Sequence, residues 1–413
     1  MPENSKNKDR AIARHGNIHA AGRFRAFIGI LGKALIVLLV SALTVTTVSA
    51  VQLATELGRG QIDVPGLDGQ RVIPPMDGPL NMLLVGSDSR QGAGNSAFGD
   101  TGGVLADVII LLHVSADRKN AVALSFPRDT LLPWPACPST TGGPGYYAQS
   151  LGQINATIGN GGPGCTLLTV ELLTGVDIPY LAMVDFNGVI ELSNAVGGVE
   201  VCVAEDIEDE YTNTYLKKGT HTLQGVQALQ FLRTRHGVGD GSDLGRISNQ
   251  QVYLTSLVRK LKSKDVLSNP VALYSLAQAA ARNMTLSSSL SNLGSLMGVA
   301  SALKDIPMKN ITFLQLPSVS GLPAPNEGRV MPDYEKAQVL FDLIKNDQPL
   351  VLGEVKNTGV GSEIAPTPKP SPTSTPTETP TSTSTPKPTP TPTVTPLPEW
   401  AQGTNASTTT CSK

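Results

Sequence analysis

Four segments carry charged side chains where the surrounding apolar pattern gives no reason for them. Leu80–Arg90, LNMLLVGSDSR, is an apolar run that passes straight into Asp88 and Arg90. Ala106-Asp107-Val108-Ile109-Ile110 sets a carboxylate where a second apolar run begins, and a third run ends in Ser125-Phe126-Pro127-Arg128-Asp129-Thr130. In Phe231–Gln251, FLRTRHGVGDGSDLGRISNQQ, a helical pattern ends on Arg233 and Arg235. A glycine-rich loop follows, and the next helix opens with Asp243, Arg246 and Gln250. Singly, each has an ordinary explanation: a strand-end turn residue, a structural Arg-Asp pair, a proline that stops a strand. For the fourth segment that explanation is a solvated helix end laced with salt bridges. Together they suit phosphate chemistry. Guanidinium groups bind phosphate bidentately and keep their charge, and two or three of them beside carboxylates that hold Mg2+ form a pyrophosphate clamp.

The elements that must position these residues alternate along the middle of the chain. Short apolar runs at Leu80–Val85, Asp107–Val114, Asn120–Phe126, Tyr180–Phe186, Val199–Val203 and Ile311–Leu316 read as strands. Helical spacing marks Thr166–Thr174, stopped by Gly175, and Phe186–Val196, stopped by Gly197-Gly198. It returns over Leu223–Arg235, Val252–Leu261, Pro270–Ala281, Ser288–Leu303 and Asp333–Lys345. This alternation predicts a mixed central sheet with helices on both faces, a three-layer α/β/α sandwich. Ligands of open α/β sheets bind at the carboxyl ends of strands, where Asp88, Arg90, Arg128 and Asp129 stand.

Composition excludes several functions. Of 413 residues, 40% are hydrophobic and 16% charged, enough for a sizeable core. The 32 basic and 34 acidic residues leave a net charge of -2, too balanced for a nucleic-acid binder. No CxxC pair or Cys/His cluster supports zinc or thioredoxin-like chemistry, and no histidine sits in a nucleophile-elbow context. Cys137 and Cys165 flank a Gly/Pro/Ser-rich insertion and are expected to form a disulfide that stabilises by about 3 kcal/mol. Cys202, in an apolar strand-like run, is expected as a core thiol.

Both ends read as something other than the fold. A basic tail over 1–33 precedes an uncharged, apolar stretch over 34–55, long enough to cross a bilayer core of ~30 Å. The charge bias keeps the N-terminus inside and everything after the span outside the cell membrane. Val48-Ser49-Ala50 resembles a cleavage site, so a removed signal peptide is the alternative. A linker over 56–79 leads to a domain over 80–355. The remainder, 356–413, reads as a disordered Pro/Thr/Ser-rich tail, with 12 Pro and 12 Thr between Pro366 and Pro398.

The stretches NMLLVGSDSR, ADVIILLHV, ALSFPRDTLL, LGQINATIGNGG, DFNGVIELSNAVGGVEV, KKGTHTLQGVQALQFLRTRH and DLGRISNQQ, in this order and spacing, resemble the LytR–CpsA–Psr family. The resemblance implies an α/β fold whose apolar cavity holds a polyprenyl chain, with the pyrophosphate at its mouth. It implies a Mg2+-dependent phosphotransferase that moves a glycopolymer phosphate from the lipid carrier onto peptidoglycan. Carried over residue by residue, Asp88 and Asp107 match the metal-linked aspartates, with Asp100 as a runner-up. Arg128, Asp129, Arg233, Arg235 and Asp243 match the catalytic set, and Arg90, Arg246 and Gln250 fall in the substrate-binding set. Asp129 and Asp243 are the candidates to deprotonate the acceptor hydroxyl. Three positions depart from the family by losing positive charge: Leu105, Gln153 and Asn249. Those losses keep two alternatives open, a non-catalytic polyprenyl-phosphate binder and a pyrophosphatase on the same lipid.

Overall fold

The computed structural model describes residues 78–89, 103–139, 143–263, 270–291, 293–366 and 396–413, with scattered positions between 33 and 62. Contacts divide the chain into residues 1–52 and 53–413. The expected membrane span over 34–55 lies largely outside the described residues, as do Arg90 and Asp100. Among the described residues no helix is long and apolar enough to cross a membrane.

Along the second unit the elements are β1 (Gln61–Ile62), β2 (Leu80–Ser87), β3 (Ala106–Val114), β4 (Ala121–Phe126), β5 (Leu131–Trp134) and β6 (Gln149–Gln153). There follow α1 (Thr157–Thr174), β7 (Tyr180–Val184), α2 (Phe186–Ala195), β8 (Val199–Val203), β9 (Ile207–Asp209), β10 (Thr214–Leu216) and β11 (Gly219–Leu223). Next come α3 (Val226–Arg233), α4 (Asp243–Lys262), α5 (Pro270–Asn283), β12 (Met284–Ser287), α6 (Leu293–Lys304), β13 (Ile311–Gln315), β14 (Ser318–Val319) and β15 (Met331–Pro332). The last are α7 (Tyr334–Lys345), β16 (Ser362–Ile364), β17 (Gly403–Asn405) and β18 (Thr410–Ser412).

Among the described residues the main sheet has eight strands in the order β1-β12-β7-β2-β3-β4-β13-β17. It is mixed: β2 pairs antiparallel with β3 and parallel with β7, while β4 pairs antiparallel with β3 and parallel with β13. The period-two geometry of strands sorts its side chains to two faces. Leu83, Val85, Ile109, Leu111, Leu124 and Leu314 pack with α1 and α7, through Leu167, Val170, Leu340 and Phe341. Met82, Ile110, Ala123, Ala182, Leu286 and Phe313 face α4, α5 and α6 through Leu254, Val258, Ala277 and Val299. The central strands are therefore apolar on both faces and read as near-continuous hydrophobic runs.

The helix boundaries follow local chemistry. Gly175 ends α1 in the left-handed conformation at φ 63°, where its lack of a Cβ removes the steric cost. Asp185 caps α2 by accepting from Gly188 N at 2.8 Å. α3 starts at Val226, after Gly225, because Leu223 belongs to β11 rather than to the helix that its spacing suggested.

Two sequence expectations are corrected. Cys137 and Cys165 are bonded as expected, but Cys202 is no free thiol: it is joined to Cys411 across 209 residues. Nor does the fold stop at 355. Residues 356–366 and 396–413 belong to it, with β17 on the edge of the main sheet and β16 and β18 in a second sheet of order β11-β8-β18-β16. The Pro/Thr-rich stretch 367–395 lies outside the described residues.

On the chain-entropy account, a cross-link closing a loop of 209 residues stabilises by about 5 kcal/mol. A chain ended after Glu363 loses that bond together with β17 and β18, so it should melt roughly 10 °C or more below the full chain. Equal midpoints in differential scanning calorimetry would show that the C-terminal strands contribute nothing.

Candidate active site

The site is assembled where β2, β3 and β4 meet the two helices α3 and α4. Gly86 lets β2 and β3 approach closely, since a Cβ there would stand 2.9 Å from Val108 Cβ. Immediately after β2, Asp88 is fixed to the strand entry: its backbone N donates to Leu105 O at 3.0 Å, and Leu105 N donates to Asp88 Oδ1 at 2.6 Å. Two residues further along, Asp107 stands in the first turn of the pleat of β3. The buried strand β4 ends at Phe126, and Thr130 closes the following turn by donating both its N and its Oγ1 to Pro127 O. Asn155 N donates to Arg128 O at 3.2 Å, which holds the Arg128-Asp129 corner from the other side.

These carboxylates and guanidiniums form one network. Arg128 Nη1 donates to Asp107 Oδ1 in a tight ion pair. Arg246, only 3% exposed, donates Nη2 to Asp107 O at 2.9 Å and lies 2.5 Å from Asp243 Oδ1. Asp243 Oδ2 accepts from Arg128 N at 3.0 Å, and Arg128 Nε stands 3.6 Å from Asp129 Oδ2. Gln153 Nε2 donates to Asp129 Oδ1 at 3.1 Å. Burial pushes the Asp107 carboxyl up, but Arg246, Arg128 and Arg233 outweigh it and hold it below the usual carboxylate range. Burial pulls Arg128 down, and Asp107, Asp129 and Asp243 more than restore it.

Arg235 is different. Burial lowers its pKa, and repulsion from Arg128 and Arg246 lowers it further against the pull of Asp243 and Asp129. Its Nε, like those of Arg128 and Arg246, is buried without a hydrogen-bond partner. A guanidinium crowded by two others and short of an acceptor is an arrangement completed by an anion. Arg233, one helical turn from the apolar wall, places its guanidinium 4.4 Å over the Phe186 ring.

Beside this network opens an apolar cavity of about 430 Å3. Val85 and Ile110 of the sheet, Val189 and Leu192 of α2, and Leu254 and Leu257 of α4 are among its walls. Asp107, Arg233, Arg246 and Gln250 line it as well, so the charged groups sit on the cavity itself. Helix α4 supplies a graded stripe: Arg246, Gln250, Leu254, Leu257 and Leu261 recur every three or four residues, changing from charged to apolar along one face.

The structure therefore brings Asp107, Arg128, Asp129, Arg233, Arg235, Asp243, Arg246 and Gln250 together, with Asp88 at the adjoining strand end. Gln250 lines the cavity, but its amide donates to Leu232 O at 3.0 Å and so ties α3 to α4. Asn249, expected to weaken the phosphate site, is fully buried away from the cavity. It donates to Phe231 O at 2.7 Å and accepts from Ser412 Oγ at 2.5 Å. Sequence reasoning missed the cavity walls on α2 and the Phe186 ring. The stripe on α4 was visible in the spacing; nothing in the sequence placed Phe186 under Arg233.

Comparisons with known proteins point one way. The chain is 30% identical over 342 residues to the cell wall biosynthesis protein LcpA of Corynebacterium glutamicum, covering 76% of this chain and 64% of that protein. It is 27% identical to the polyisoprenyl-teichoic acid–peptidoglycan teichoic acid transferase TagT of Bacillus subtilis, covering 62% of this chain and 74% of that one. It thus spans about two thirds of LcpA, and 47% of the probable cell wall biosynthesis protein LcpB of C. glutamicum. Among solved structures, the LytR-Csp2A-Psr enzyme from Actinomyces oris aligns with a TM-score of 0.50 at 24% identity, covering 67% of this chain and 92% of that one. B. subtilis TagV aligns at 0.51 and 24%, covering 66% and 99%, which speaks for a shared fold. With the family model matching residues 46–340, the chain belongs to the LytR_cpsA_psr family.

Proposed function

We propose that the protein is a phosphotransferase that moves a glycopolymer phosphate from a polyprenyl-pyrophosphate carrier onto a peptidoglycan hydroxyl during wall assembly. The observation that carries this reading is the apolar cavity lined at one end by Asp107, Arg233 and Arg246, with Arg128 and Arg235 beside it. A long apolar chain joined to a diphosphate is the ligand class that needs both halves at once. The names of the relatives LcpA and TagT support it. A membrane anchor over 34–55 with the domain outside the cell would present the cavity to such a lipid. The two disulfides support an oxidising compartment.

In this mechanism the prenyl chain occupies the cavity, and Arg233, Arg235 and Arg128 take the phosphate oxygens. The acceptor hydroxyl attacks the glycan-bearing phosphorus, and polyprenyl phosphate leaves. Arginines fixed before the reaction stabilise the charge gained in the transition state without reorganising. Asp243 is committed to Arg246 and to Arg128 N. The hydroxyl proton therefore falls to Asp129, half-buried and oriented by Gln153. Asp88 and Asp107 would hold Mg2+. Their oxygen donors suit that hard cation, and the Asp107 carboxyl is kept ionised. Among the described residues no group of three His, Cys, Asp or Glu could hold a metal unaided, so phosphate oxygens would complete the shell. When bound, Mg2+ would neutralise charge on those oxygens.

The direct test incubates the full chain in detergent with a radiolabelled lipid-pyrophosphate glycan, peptidoglycan fragments and Mg2+. Label should pass to peptidoglycan, and Arg233→Ala should lower the rate by about 100- to 1,000-fold, the loss expected for one transition-state donor. Label released only to water would assign a pyrophosphatase, and lipid that binds without turnover would end the enzyme reading.

A pH series tests the network. A carboxyl with a depressed folded pKa stabilises fully above its unfolded value, about 3.9 for Asp, and loses that contribution as pH falls through the folded value. The thermal midpoint should fall in acid, and Asp107→Asn should make that fall shallower. Parallel acid slopes in the two proteins would contradict the role given to Asp107.

A further inference from the structure

Next to the arginine cluster lies an exposed ring pair that the phosphate chemistry does not use. Tyr211 is 82% exposed, and its ring centroid lies 4.4 Å from that of His236, itself exposed and directly following Arg235. The backbones that carry these two rings are tied together by one carboxylate. Asp209, 1% exposed at the end of β9, accepts from Tyr211 N at 3.0 Å through Oδ1. Its Oδ2 accepts from Thr234 Oγ1 at 2.6 Å, Arg235 N at 2.9 Å and His236 N at 3.1 Å. One buried group thus fixes both ring-bearing backbones and the backbone of Arg235. Gly237 seals the contact, since a Cβ there would stand 3.0 Å from Glu208 O and from Ile207 Cγ2.

We propose that the Tyr211–His236 ring pair is a saccharide subsite, taking one pyranose ring of a glycan whose phosphate or hydroxyl reacts at the arginine cluster. An aromatic face with only two side-chain torsions gives contact area to the apolar C–H face of a sugar at little entropic cost. The surroundings choose the occupant. Glu205, Asp206, Glu208 and Glu210 are exposed along the strand and turn that lead to Tyr211, and Lys217 pairs with two of them, Asp206 at 2.9 Å and Glu208 at 3.3 Å. An acidic rim repels an anionic lipid surface and a second phosphate, and it leaves acceptors for sugar hydroxyls. The inference rests on the phosphotransfer reading and adds to it where the sugar lies.

The full chain in detergent is titrated with the tetrasaccharide of N-acetylglucosamine by calorimetry, and the transfer assay is run beside it. Tyr211→Ala should weaken saccharide binding about tenfold, the scale of one aromatic contact. It should also raise one KM with kcat changed less than about threefold. A rise in the peptidoglycan KM assigns the rings to the acceptor sugar, and a rise in the lipid-linked KM assigns them to the donor sugar; either supports the subsite. Tyr215→Ala, an exposed tyrosine on β10 opposite Glu208 with no part in the ring pair, serves as the control and should match the parent chain. If Tyr211→Ala keeps its thermal midpoint, its saccharide affinity and both KM values, the proposal is overturned. Equal loss on vesicles of phosphatidylglycerol in place of the saccharide overturns it as well. Should the parent chain transfer nothing, the titration still decides the subsite while the transfer reading fails.

Discussion

Burying the Arg246 guanidinium is the constraint around which the rest is arranged. A charge taken out of water costs several kcal/mol unless it is paired and its donors are used. Arg246 offsets most of that cost through Nη2, which meets the Asp107 carbonyl and the Asp243 carboxylate, while its Nε stays buried without a hydrogen-bond partner. Those partners belong to β3 and to the first turn of its own helix. Asp243 in turn receives Arg128 N, and Arg128 closes the loop on Asp107. Three separate segments, the entry to β3, the corner after β4 and the start of α4, are thereby locked into one charged junction. Truncating one member of such a junction leaves the others buried and unpaired, which typically costs more than the pair contributes. Arg128, Arg235 and Arg246 each keep a buried Nε without a hydrogen-bond partner, and an incoming anion would meet all three.

The junction also sets the polarity of the cavity. Since α4 begins at the charged cluster, its inward stripe must run from Arg246 and Gln250 to Leu254, Leu257 and Leu261 within a few turns. The opposing wall follows the same order, because β3 presents Asp107 before Val108 and Ile110. An amphiphile entering this space is oriented by both walls at once. Its head is confined to the end where guanidiniums are already fixed, so binding and positioning are a single event.

Much of this was legible in the residues. The strands β2, β3, β4, β7, β8 and β13 are short apolar runs with charged or glycine ends, and the helices α1 and α2 stop at Gly175 and just before Gly197-Gly198, as their spacing implied. The site residues clustered because strand-end charges in an α/β sheet converge on one edge. What stayed hidden depends on contacts between distant positions. Cys202 lies in a strand with no local sign of a partner, and Cys411 sits beyond a stretch of proline and threonine that reads as the end of the fold. Asn249 looked like a missing charge because the resemblance places an Arg at its position. One residue of rotation, about 100° on a helix, turns it to Phe231 O and Ser412 instead.

That contact explains why the C-terminal strands matter to the site. Ser412 reaches Asn249, and Asn249 reaches the Phe231 carbonyl two residues before Arg233. Gly239, in the loop between the paired arginines and α4, donates to Lys413 O at 2.7 Å. Gly359 and Gly361 press against Ser248 and Gly245 so closely that neither has room for a Cβ. The end of α3 and the loop after it, which carry Arg233 and Arg235, are therefore braced from behind by β18 and the segment before β16, while the Cys202–Cys411 bond pins β18 to β8. A glycine-rich loop supplies little rigidity of its own. Its precision is borrowed from these strands, so a change there should disturb arginine placement before it disturbs the central sheet.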